Sequence, residues 1–529
     1  MGRRSGGGSR ARAPLSIKGS VPDSLLLQSD WKNSGSGQCA TAGIAGPLRA
    51  IGLNSEALGS QASNQPKSSN AGTAYSNSTG MVLTSAEAVT AQAFDPHSSC
   101  ARVSQPPPVA NGPELSPSNQ GATKYGEVIV LGYNGSLGSG DRGRRRSRLA
   151  LYKRPNANGV KPDVVHITST PLASKALTNA GQHSVSYTLS RSQSIIVEYS
   201  HDGNTDMFQI GRSTETLIDF VVTDTAPGSQ GGGGEMQTLQ STISRFACRI
   251  TCDRNPPYTA RVYAAGFDSS NNIFLGERAA KWRTTDGLMD GLTTNGVLVM
   301  HPARGFSEDS APGTWREISV CGKVYALRET RSAQQRGRLV ENESNVLQDG
   351  SLIDLCGATL LWRSTQGLER APTLKHLEAL RQEVNAARPQ CPVGFRTLAF
   401  PSLARREVIE KQQPWVYVSC GHVHGYHGWG CRKEAGGGAE ERECPLCRRV
   451  GPYVPLWMGS EAGSYLDAGP PSHAFCPCGH VCSAGTVKYW SRIPLPHGTH
   501  AFHAACPFCG TWLTGEKGYV KLIYQGPLD

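Results

Sequence analysis

Short apolar runs separated by turn residues fill the chain from Lys124 to about Arg363. The runs are rich in β-branched and aromatic residues, and Gly132, Asn271-Asn272 and Asp349-Gly350 provide turn signals between them. The runs lie at residues 127–131, 185–189, 195–197, 220–222, 260–263, 297–300 and 324–327. Short β-branched runs with closely spaced turns are typical of an all-β sandwich, which we predict for this part of the chain.

A helical pattern follows the β region. Leu377, Leu380, Val384 and Ala387 recur at helical spacing within residues 373–388. Arg388-Pro389 ends the pattern, because the residue before a proline resists the helical conformation. We therefore predict a linker helix within residues 369–390, with its apolar stripe packed in the protein interior.

Composition divides the rest of the chain. Residues 1–121 are rich in Ser, Gly, Ala, Asn and Pro, and such a segment buries too little apolar surface to offset its ordering entropy, so we predict a disordered tail. The remainder of the 529 residues is long enough for two domains, which we place at residues 122–368 and 391–529. No apolar run approaches the roughly 20 residues that span a bilayer, so membrane insertion is not expected.

The net charge of +11 is partly concentrated in one basic run between Arg142 and Arg154. Such a run can contact nucleic acid, but it is more often a solvated surface or a kinase-recognition sequence. We therefore do not expect nucleic acid as a partner.

Cysteine and histidine are concentrated at the C-terminal end. Ten of the 16 cysteines and eight of the 14 histidines lie from Cys391 onward. Nothing in the sequence directs the chain to an oxidising compartment, where disulfides form. We therefore expect a cytoplasmic protein whose clustered thiols bind metal.

An internal repeat gives the metal ligands their spacing. Each copy has a Cys-Gly-His triplet, a spacer, and a Cys-Pro-x-Cys turn. Since zinc takes four sulfur or nitrogen ligands in a tetrahedron, two copies predict two structural zinc ions. The predicted ligands are Cys420, His422, Cys444 and Cys447 in the first copy, and Cys478, His480, Cys506 and Cys509 in the second.

The spacing leaves the pairing of these ligands open. Each copy can close its own site, or the ligands can interleave as in a cross-brace. Other residues nearby can also replace one of the histidines: Cys391, His424, His427, Cys431, Cys476, Cys482, His500 and His503. Full sets of four ligands disfavour a catalytic zinc, which keeps an open position. The region is rich in Gly and Pro, so we expect little core of its own and a large contribution of zinc to its folding.

The order of these ligands, with the flanks Ser419–His427 and His500–Cys509, resembles the RING-like domain of the Pellino family. The similarity extends over residues 124–529 and includes residues 331–337 and 522–527. It implies an E3 ubiquitin ligase that binds phosphorylated interleukin-receptor-associated kinases and ubiquitinates them in Toll-like and interleukin receptor signalling of innate immunity. A RING-type ligase has no catalytic residue that bonds ubiquitin, because it acts by positioning a charged ubiquitin-conjugating E2 enzyme. The expected partners are therefore an E2, ubiquitin and the kinases.

Phe508 lies between two predicted ligand cysteines. A side chain in such a tight turn is expected to reach solvent. We therefore expect Phe508 to contact the E2.

Three segments of the β region resemble the motifs of forkhead-associated (FHA) domains, which bind phosphothreonine through loops at one end of a β-sandwich. They are Phe208–Ser213, Ser241–Arg245 and Asp290–Gly296. The resemblance and the phosphate chemistry of arginine predict a phosphothreonine site. Its residues are Arg212, Ser244, Arg245, Thr294 and Asn295. Ala247 replaces a histidine that is usual in the second motif.

The predicted fold is therefore mainly β. It combines an atypical FHA-type sandwich with a C-terminal RING-like zinc domain and a disordered N-terminal tail. Extra strands at about residues 133–190 and 266–290 match an added wing of the Pellino version. The alternatives are a non-enzymatic phosphoprotein scaffold with structural zinc and a zinc-dependent nucleic-acid binder. The second is disfavoured, because no basic recognition helix follows the Cys-Pro-x-Cys turns.

Overall fold

The computed structural model describes residues 121–134, 147–170, 179, 181–225, 241–403, 411–432, 441–497 and 501–525. The predicted disordered tail lies outside the described residues, apart from Gly121. Residues 142–146 of the basic run lie outside them too.

The first part of the described chain consists almost entirely of short strands. In chain order they are β1 (Lys124–Val130), β2 (Arg148–Tyr152), β3 (Gly159–Thr168), β4 (His183–Ser190), β5 (Gln193–Asp202), β6 (Thr205–Gly211), β7 (Phe220–Val221), β8 (Cys248–Asp253), β9 (Ala260–Ala264), β10 (Asn272–Leu275), β11 (Lys281–Arg283), β12 (Met289–Gly291), β13 (Leu298–Met300), β14 (Arg316–Ile318), β15 (Val324–Tyr325), β16 (Leu352–Asp354) and β17 (Thr359–Ser364). Each apolar run in this region of the sequence overlaps one of these strands, so the prediction of an all-β region is confirmed.

Two sheets face each other to form the sandwich. One has seven strands in the order β15-β14-β13-β16-β17-β1-β2, and the other has four in the order β7-β6-β8-β9. Alternate side chains of both sheets meet in one buried cluster, which contains Val128, Ile353 and Trp362 from the first sheet and Ile250 and Val262 from the second. Burying one face of each sheet in this way is the main source of stability for a sandwich.

A second layer of strands extends the sandwich. Strands β10-β4-β5-β3 form a four-stranded sheet, and β11 and β12 form a separate two-stranded ribbon. Val185 and Ile195 of this four-stranded sheet belong to the same buried cluster as the sandwich, and the Tyr187 hydroxyl donates a 3.2 Å hydrogen bond to the Met289 carbonyl of β12. These strands lie largely within the segments in which the sequence predicted an added wing.

Among its described residues, the C-terminal part contains three helices and further short strands. The helices are α1 (Thr365–Arg370), α2 (Leu374–Ala386) and α3 (Ala484–Ser491), with a 3-10 turn at Ala462–Ser464. The strands are β18 (Pro414–Tyr417), β19 (Val423–Gly425), β20 (Cys431–Arg432), β21 (Glu441–Glu443), β22 (Val450–Pro455), β23 (Trp457–Met458), β24 (His473–Phe475), β25 (His480–Cys482), β26 (Leu495–His497), β27 (Ala501–His503) and β28 (Tyr519–Lys521).

These strands build two lobes. The first lobe is the five-stranded sheet β19-β18-β22-β21-β20, and the second contains the four-stranded sheet β23-β25-β24-β28, the hairpin of β26 and β27, and helix α3. A buried cluster that includes Val416 and Val423 of the first lobe and Ala474 and Val481 of the second joins them.

The second lobe also packs against the outer face of the seven-stranded sheet. Ile129, Leu298 and Leu361 of that sheet lie in one buried cluster with Trp490 and Phe508 of the second lobe, and we call this cluster the shared core. It also contains the aromatic side chains of Tyr465, Phe475 and Tyr489. The aromatic residues of the second lobe are therefore buried in a core that the lobe shares with the sandwich, and the expectation that the C-terminal region has little core of its own stays a prediction.

Hydrogen bonds cross the same contact. The Trp315 indole donates to the Pro494 carbonyl at 2.7 Å, and the Gly132 amide donates to the Pro507 carbonyl at 2.9 Å. Gly132 has a φ of +79°, and a side chain there would bring a Cβ within 3.0 Å of the Gly510 nitrogen. Glycine at position 132 therefore permits the close approach of the two backbones.

Helix α2 forms where the sequence predicts it. The Thr373 side chain caps its first turn by accepting from the His376 amide at 3.3 Å, as expected for an N-cap threonine. Leu377 is buried in the shared core, while Val384 packs against the cluster that joins the two lobes. The prediction of a packed apolar stripe is therefore confirmed for Leu377, Leu380 and Val384, whereas Ala387 is exposed. Among the described residues, no helix combines the length and apolar character needed to cross a membrane.

Candidate functional site

The first candidate metal centre lies in the first lobe. Cys420 and His422 come from the turn between β18 and β19, and Cys444 and Cys447 come from the turn between β21 and β22. Their potential ligand atoms all lie within 4.8 Å of one another. The His422 Nδ1 is 3.3 Å from the Cys420 Sγ and 3.6 Å from the Cys444 Sγ. Sulfur and nitrogen ligands of a tetrahedral zinc are about 3.5 Å apart, so this arrangement fits a zinc ion.

The second candidate metal centre repeats this arrangement in the second lobe. Cys478 and His480 lie around the start of β25, and Cys506 and Cys509 form the turn after β27. Their potential ligand atoms also lie within 4.8 Å of one another. The buried Nδ1 of His480 has no hydrogen-bond partner among the described residues, and a buried polar atom of this kind is normally paired.

Burial and mutual contacts shift the pKa values of the thiols in both groups. Burial raises the pKa of Cys420 to about 12, and burial also raises the pKa of Cys506 well above its ordinary value. A hydrogen bond with Cys478 lowers the pKa of Cys509. Thiolates this close together repel one another. A divalent cation bound between them offsets this repulsion, because the thiolates are then its ligands.

Each copy of the repeat closes its own group, so the pairing left open by the sequence is sequential and the cross-brace is not observed. None of the spare candidates joins either group, and His500 lies outside the described residues. His424 comes nearest, with its Nε2 3.9 Å from the Cys444 Sγ. Burial lowers the pKa of His424 to about 4, so its ring is a neutral packing group beside the first centre.

The residues of the predicted phosphothreonine site lie on three loops of the sandwich. Arg212 follows β6, Ser244 and Arg245 precede β8, and Thr294 and Asn295 connect β12 to β13. The Arg212 Nε donates to the Ile243 carbonyl at 2.7 Å, and the Asn295 amide donates to the Thr242 carbonyl at 2.6 Å. Both outer loops are therefore bonded to the middle loop, and we call this arrangement the three-loop site.

All five side chains of the three-loop site reach solvent at least in part. Among the described residues, the bond to Ile243 is the only side-chain hydrogen bond of Arg212. It uses Nε and fixes the plane of the guanidinium group, while the two Nη groups provide further donors for an anion. The site can therefore hold a phosphate through charge-assisted hydrogen bonds.

Two buried arginines that the sequence analysis did not identify support the third loop. Arg328 donates to the Thr293 carbonyl at 2.9 Å and forms a 2.6 Å ion pair with Glu317. Arg331 donates to the Asn295 carbonyl at 3.4 Å and pairs with Asp354. The partners are distant in sequence, so no local pattern marks these arginines as support for the loop.

The two Cys-Pro-x-Cys turns differ in exposure. Phe508 is only 6% exposed, whereas Leu446, its counterpart in the first lobe, is 52% exposed. The Phe508 ring lies 5.3 Å from that of Tyr465 and belongs to the shared core. The expectation that Phe508 reaches solvent is therefore wrong, because the second turn is covered by its own lobe and by the sandwich.

Two family models match the chain, one over the β-sandwich region and one over the C-terminal region. The family model described as "Pellino, FHA domain" matches residues 116–380, and the model described as "Pellino, RING domain" matches residues 384–529. The chain belongs to the Pellino family. The two domain types predicted from the motifs are thereby confirmed, as is the mainly β fold of this Pellino chain.

Similar proteins extend over most of the chain. The mouse (Mus musculus) E3 ubiquitin-protein ligase pellino homolog 3 is 79% identical over 407 residues, which are 77% of this chain and 91% of that protein. The human (Homo sapiens) pellino homolog 3 is 74% identical, with the same shares covered. Protein pellino of Drosophila melanogaster is 55% identical over 77% of this chain and 94% of its own length. The predicted enzyme class, a RING-type E3 ubiquitin transferase, is confirmed by these relatives and by the RING domain.

Proposed function

We propose that this Pellino chain binds phosphothreonine-containing proteins at the three-loop site and promotes transfer of ubiquitin to them from an E2. The observation that carries this proposal is the hydrogen bonding of Arg212 and Asn295 to the loop of Ser244 and Arg245. These bonds bring arginine, hydroxyl and amide groups together at one end of the sandwich. A RING-type enzyme that also has a phosphate-binding site can select modified substrates.

The specific partners follow from the family resemblance. The proposed substrates are phosphorylated interleukin-receptor-associated kinases, and the proposed setting is Toll-like and interleukin receptor signalling of innate immunity. The proposed compartment is the cytoplasm, whose reducing conditions keep the clustered thiols available as metal ligands.

Replacing Arg212 by alanine is expected to weaken binding of a phosphothreonine peptide roughly 30- to 1000-fold. The estimate corresponds to the loss of about 2–4 kcal/mol from charge-assisted hydrogen bonds. Titration of a phosphorylated and an unphosphorylated peptide from such a kinase, monitored by calorimetry or fluorescence anisotropy, measures the effect.

Arg261→Ala is the matched control for this titration. Arg261 is also a partly exposed arginine of the sandwich, but it pairs with Asp253 at the other end of β8. We expect the Arg261 variant to bind like wild type. Equal affinity of wild type for the phosphorylated and unphosphorylated peptides would refute the proposed site.

We also propose that the two metal groups hold zinc. Cys420, His422, Cys444 and Cys447 would hold one ion, and Cys478, His480, Cys506 and Cys509 would hold the other. Zinc would supply rigid tetrahedral cross-links that close each lobe and would not take part in ubiquitin transfer chemically.

Elemental analysis of the full chain purified without chelator is expected to give two zinc ions per chain. Cys444→Ala combined with Cys447→Ala is expected to reduce this to one, because two remaining ligands cannot form a tetrahedral site. A double variant that still holds two ions would show that these cysteines are not ligands.

A further inference from the structure

The segment that follows β1 contacts both the second metal centre and the sandwich. The Gly132 amide donates at 2.9 Å to the carbonyl of Pro507, which lies in the Cys-Pro-x-Cys turn of that centre. Two residues later, the Asn134 side chain accepts from the Thr223 amide and donates to the Val221 carbonyl, both at 2.9 Å. Asn134 therefore attaches the segment that holds the second centre to the end of β7.

The residues after β7 are bonded in turn to the middle loop of the three-loop site. The Asp224 Oδ1 accepts from the Thr242 amide at 3.3 Å, and the Thr242 Oγ1 lies 3.1 Å from the same oxygen. Little space remains around this contact, because a Cβ at Gly357 would lie 2.1 Å from the Asp224 Oδ1 and 2.8 Å from the Thr242 Oγ1. In such a close-packed contact, a movement of Asp224 displaces Thr242 as well.

Thr242 and its neighbour Ile243 hold the two outer loops of the three-loop site. The Thr242 carbonyl accepts from the Asn295 side-chain amide at 2.6 Å, and the Ile243 carbonyl accepts from the Arg212 Nε at 2.7 Å. These bonds orient the side chains that are proposed to bind a phosphorylated peptide. Hydrogen bonds between neighbouring segments therefore form a continuous route from the second centre to the three-loop site.

The first centre has no such route among the described residues. The hydrogen bonds of its Cys-Pro-x-Cys turn stay within the first lobe. The Arg448 amide donates to the Cys444 carbonyl at 2.8 Å, and the Arg449 guanidinium donates to the Ser419 carbonyl at 3.5 Å. The first centre therefore serves as an internal comparison for the second.

We propose that Asn134 is a positioning residue that couples the three-loop site to the second centre, so that a phosphothreonine peptide and the second zinc ion each stabilise the binding of the other. The proposal rests on the phosphothreonine and zinc sites proposed above. A peptide that engages Arg212 and Asn295 restrains the middle loop, and Asn134 passes this restraint to the turn of Pro507. The ion leaves when that turn opens locally, so a restrained turn releases it more slowly.

The test is the release of zinc from the full chain to an excess of a chromogenic chelator, with and without a saturating phosphothreonine peptide. The variant with Cys444→Ala and Cys447→Ala lacks the first centre, so the release phase that it retains belongs to the second centre. That phase is expected to slow about 5-fold or more when the peptide is bound, which is the lower end of typical couplings between sites. The release phase of the first centre is expected to stay unchanged.

Asn134→Ala is expected to abolish the slowing while both zinc ions remain bound. Its affinity for the peptide is expected to fall by about the same 5-fold factor, because the coupling between two binding sites is reciprocal. Asn158→Ala is the matched control. The Asn158 side chain also donates to and accepts from a strand backbone, at 3.0 and 2.8 Å, but its partner Met207 lies toward the end of β6 that is remote from Arg212. This variant is expected to keep the slowing.

Zinc content and melting temperature are measured for every variant, and Asp224→Ala breaks the next link of the route at a second position. Slowing in wild type and in Asn158→Ala, but in neither Asn134→Ala nor Asp224→Ala, supports the proposal. Slowing that persists in Asn134→Ala overturns it, as does its loss in Asn158→Ala or its absence from a wild-type chain that binds the peptide. A wild-type chain that binds the phosphorylated and unphosphorylated peptides equally refutes the three-loop site and this proposal with it, so the titration distinguishes the two failures.

Discussion

Replacing Cys478 and Cys509 by alanine is expected to unfold the second lobe and to destabilise the sandwich as well. Closure of a structural zinc site contributes on the order of 10 kcal/mol, which exceeds what a small lobe retains without it. Ile129, Leu298, Leu352 and Leu361 of the seven-stranded sheet are buried against this lobe. Each would lose about 1.5–3 kcal/mol of burial if the lobe unfolded.

The matched variant is Cys444→Ala with Cys447→Ala in the first lobe. The buried clusters around this centre contain no residue of the sandwich among those the structure describes. We therefore expect this variant to lose ubiquitin transfer but to bind phosphothreonine peptide with wild-type affinity. The second-lobe variant is expected to lose both activities.

Thermal unfolding of the full chain separates the two outcomes. The sandwich transition of the second-lobe variant is expected about 10 °C or more below that of wild type, since each kcal/mol shifts a domain of this size by roughly 2–4 °C. The first-lobe variant is expected to keep the sandwich transition. Identical transitions in both variants would contradict a shared core.

Phe508→Ala is expected to lower the free energy of unfolding by about 3–5 kcal/mol, because it removes a large ring from a close-packed interior. Gly459 lies so close that a Cβ there would be 2.4 Å from the Phe508 ring. The ring therefore fills the space that the missing side chain of Gly459 leaves. Its removal leaves a cavity between the second centre and Tyr465.

Leu446→Ala is the control, since it truncates the corresponding side chain of the other turn. Leu446 is largely exposed, and we expect its truncation to change the free energy of unfolding by less than about 0.5 kcal/mol. Urea unfolding followed by tryptophan fluorescence measures both values. Phe508→Ala with wild-type stability would show that the ring does not pack in the shared core.

The sequence predicts the strands and the metal groups well because both depend on local patterns. Short β-branched runs determine β1, β4 and β5, and the spacing of Cys444 and Cys447 places two thiols in one turn. The closing of each centre by its own copy of the repeat was not predictable, because ligand spacing is equally compatible with a cross-brace. Only the three-dimensional arrangement of β18 and β22 brings Cys420 next to Cys444.

The burial of Phe508 was not predictable for a similar reason. It depends on the approach of Gly132 to Gly510, which are far apart in the sequence and meet only because the outer face of the sheet covers the second lobe. The support of the third loop by Arg328 and Arg331 is also long-range. From the sequence alone, an arginine in a turn-rich segment is expected at a solvated surface. Only the folded structure shows that Arg328 and Arg331 have buried carboxylate partners.

The shared core has a consequence for which lysines on a bound partner receive ubiquitin. Helix α2 packs in the shared core through Leu377 and against the cluster that joins the two lobes through Val384, so the sandwich and both lobes are in contact around it. Under the function proposed above, a phosphorylated partner bound at the three-loop site would be presented to the charged E2 in one orientation. The acceptor lysines would then be selected by their distance from the phosphorylated residue. Moving a lysine to another position along the partner should change its ubiquitination more than replacing the residues next to it.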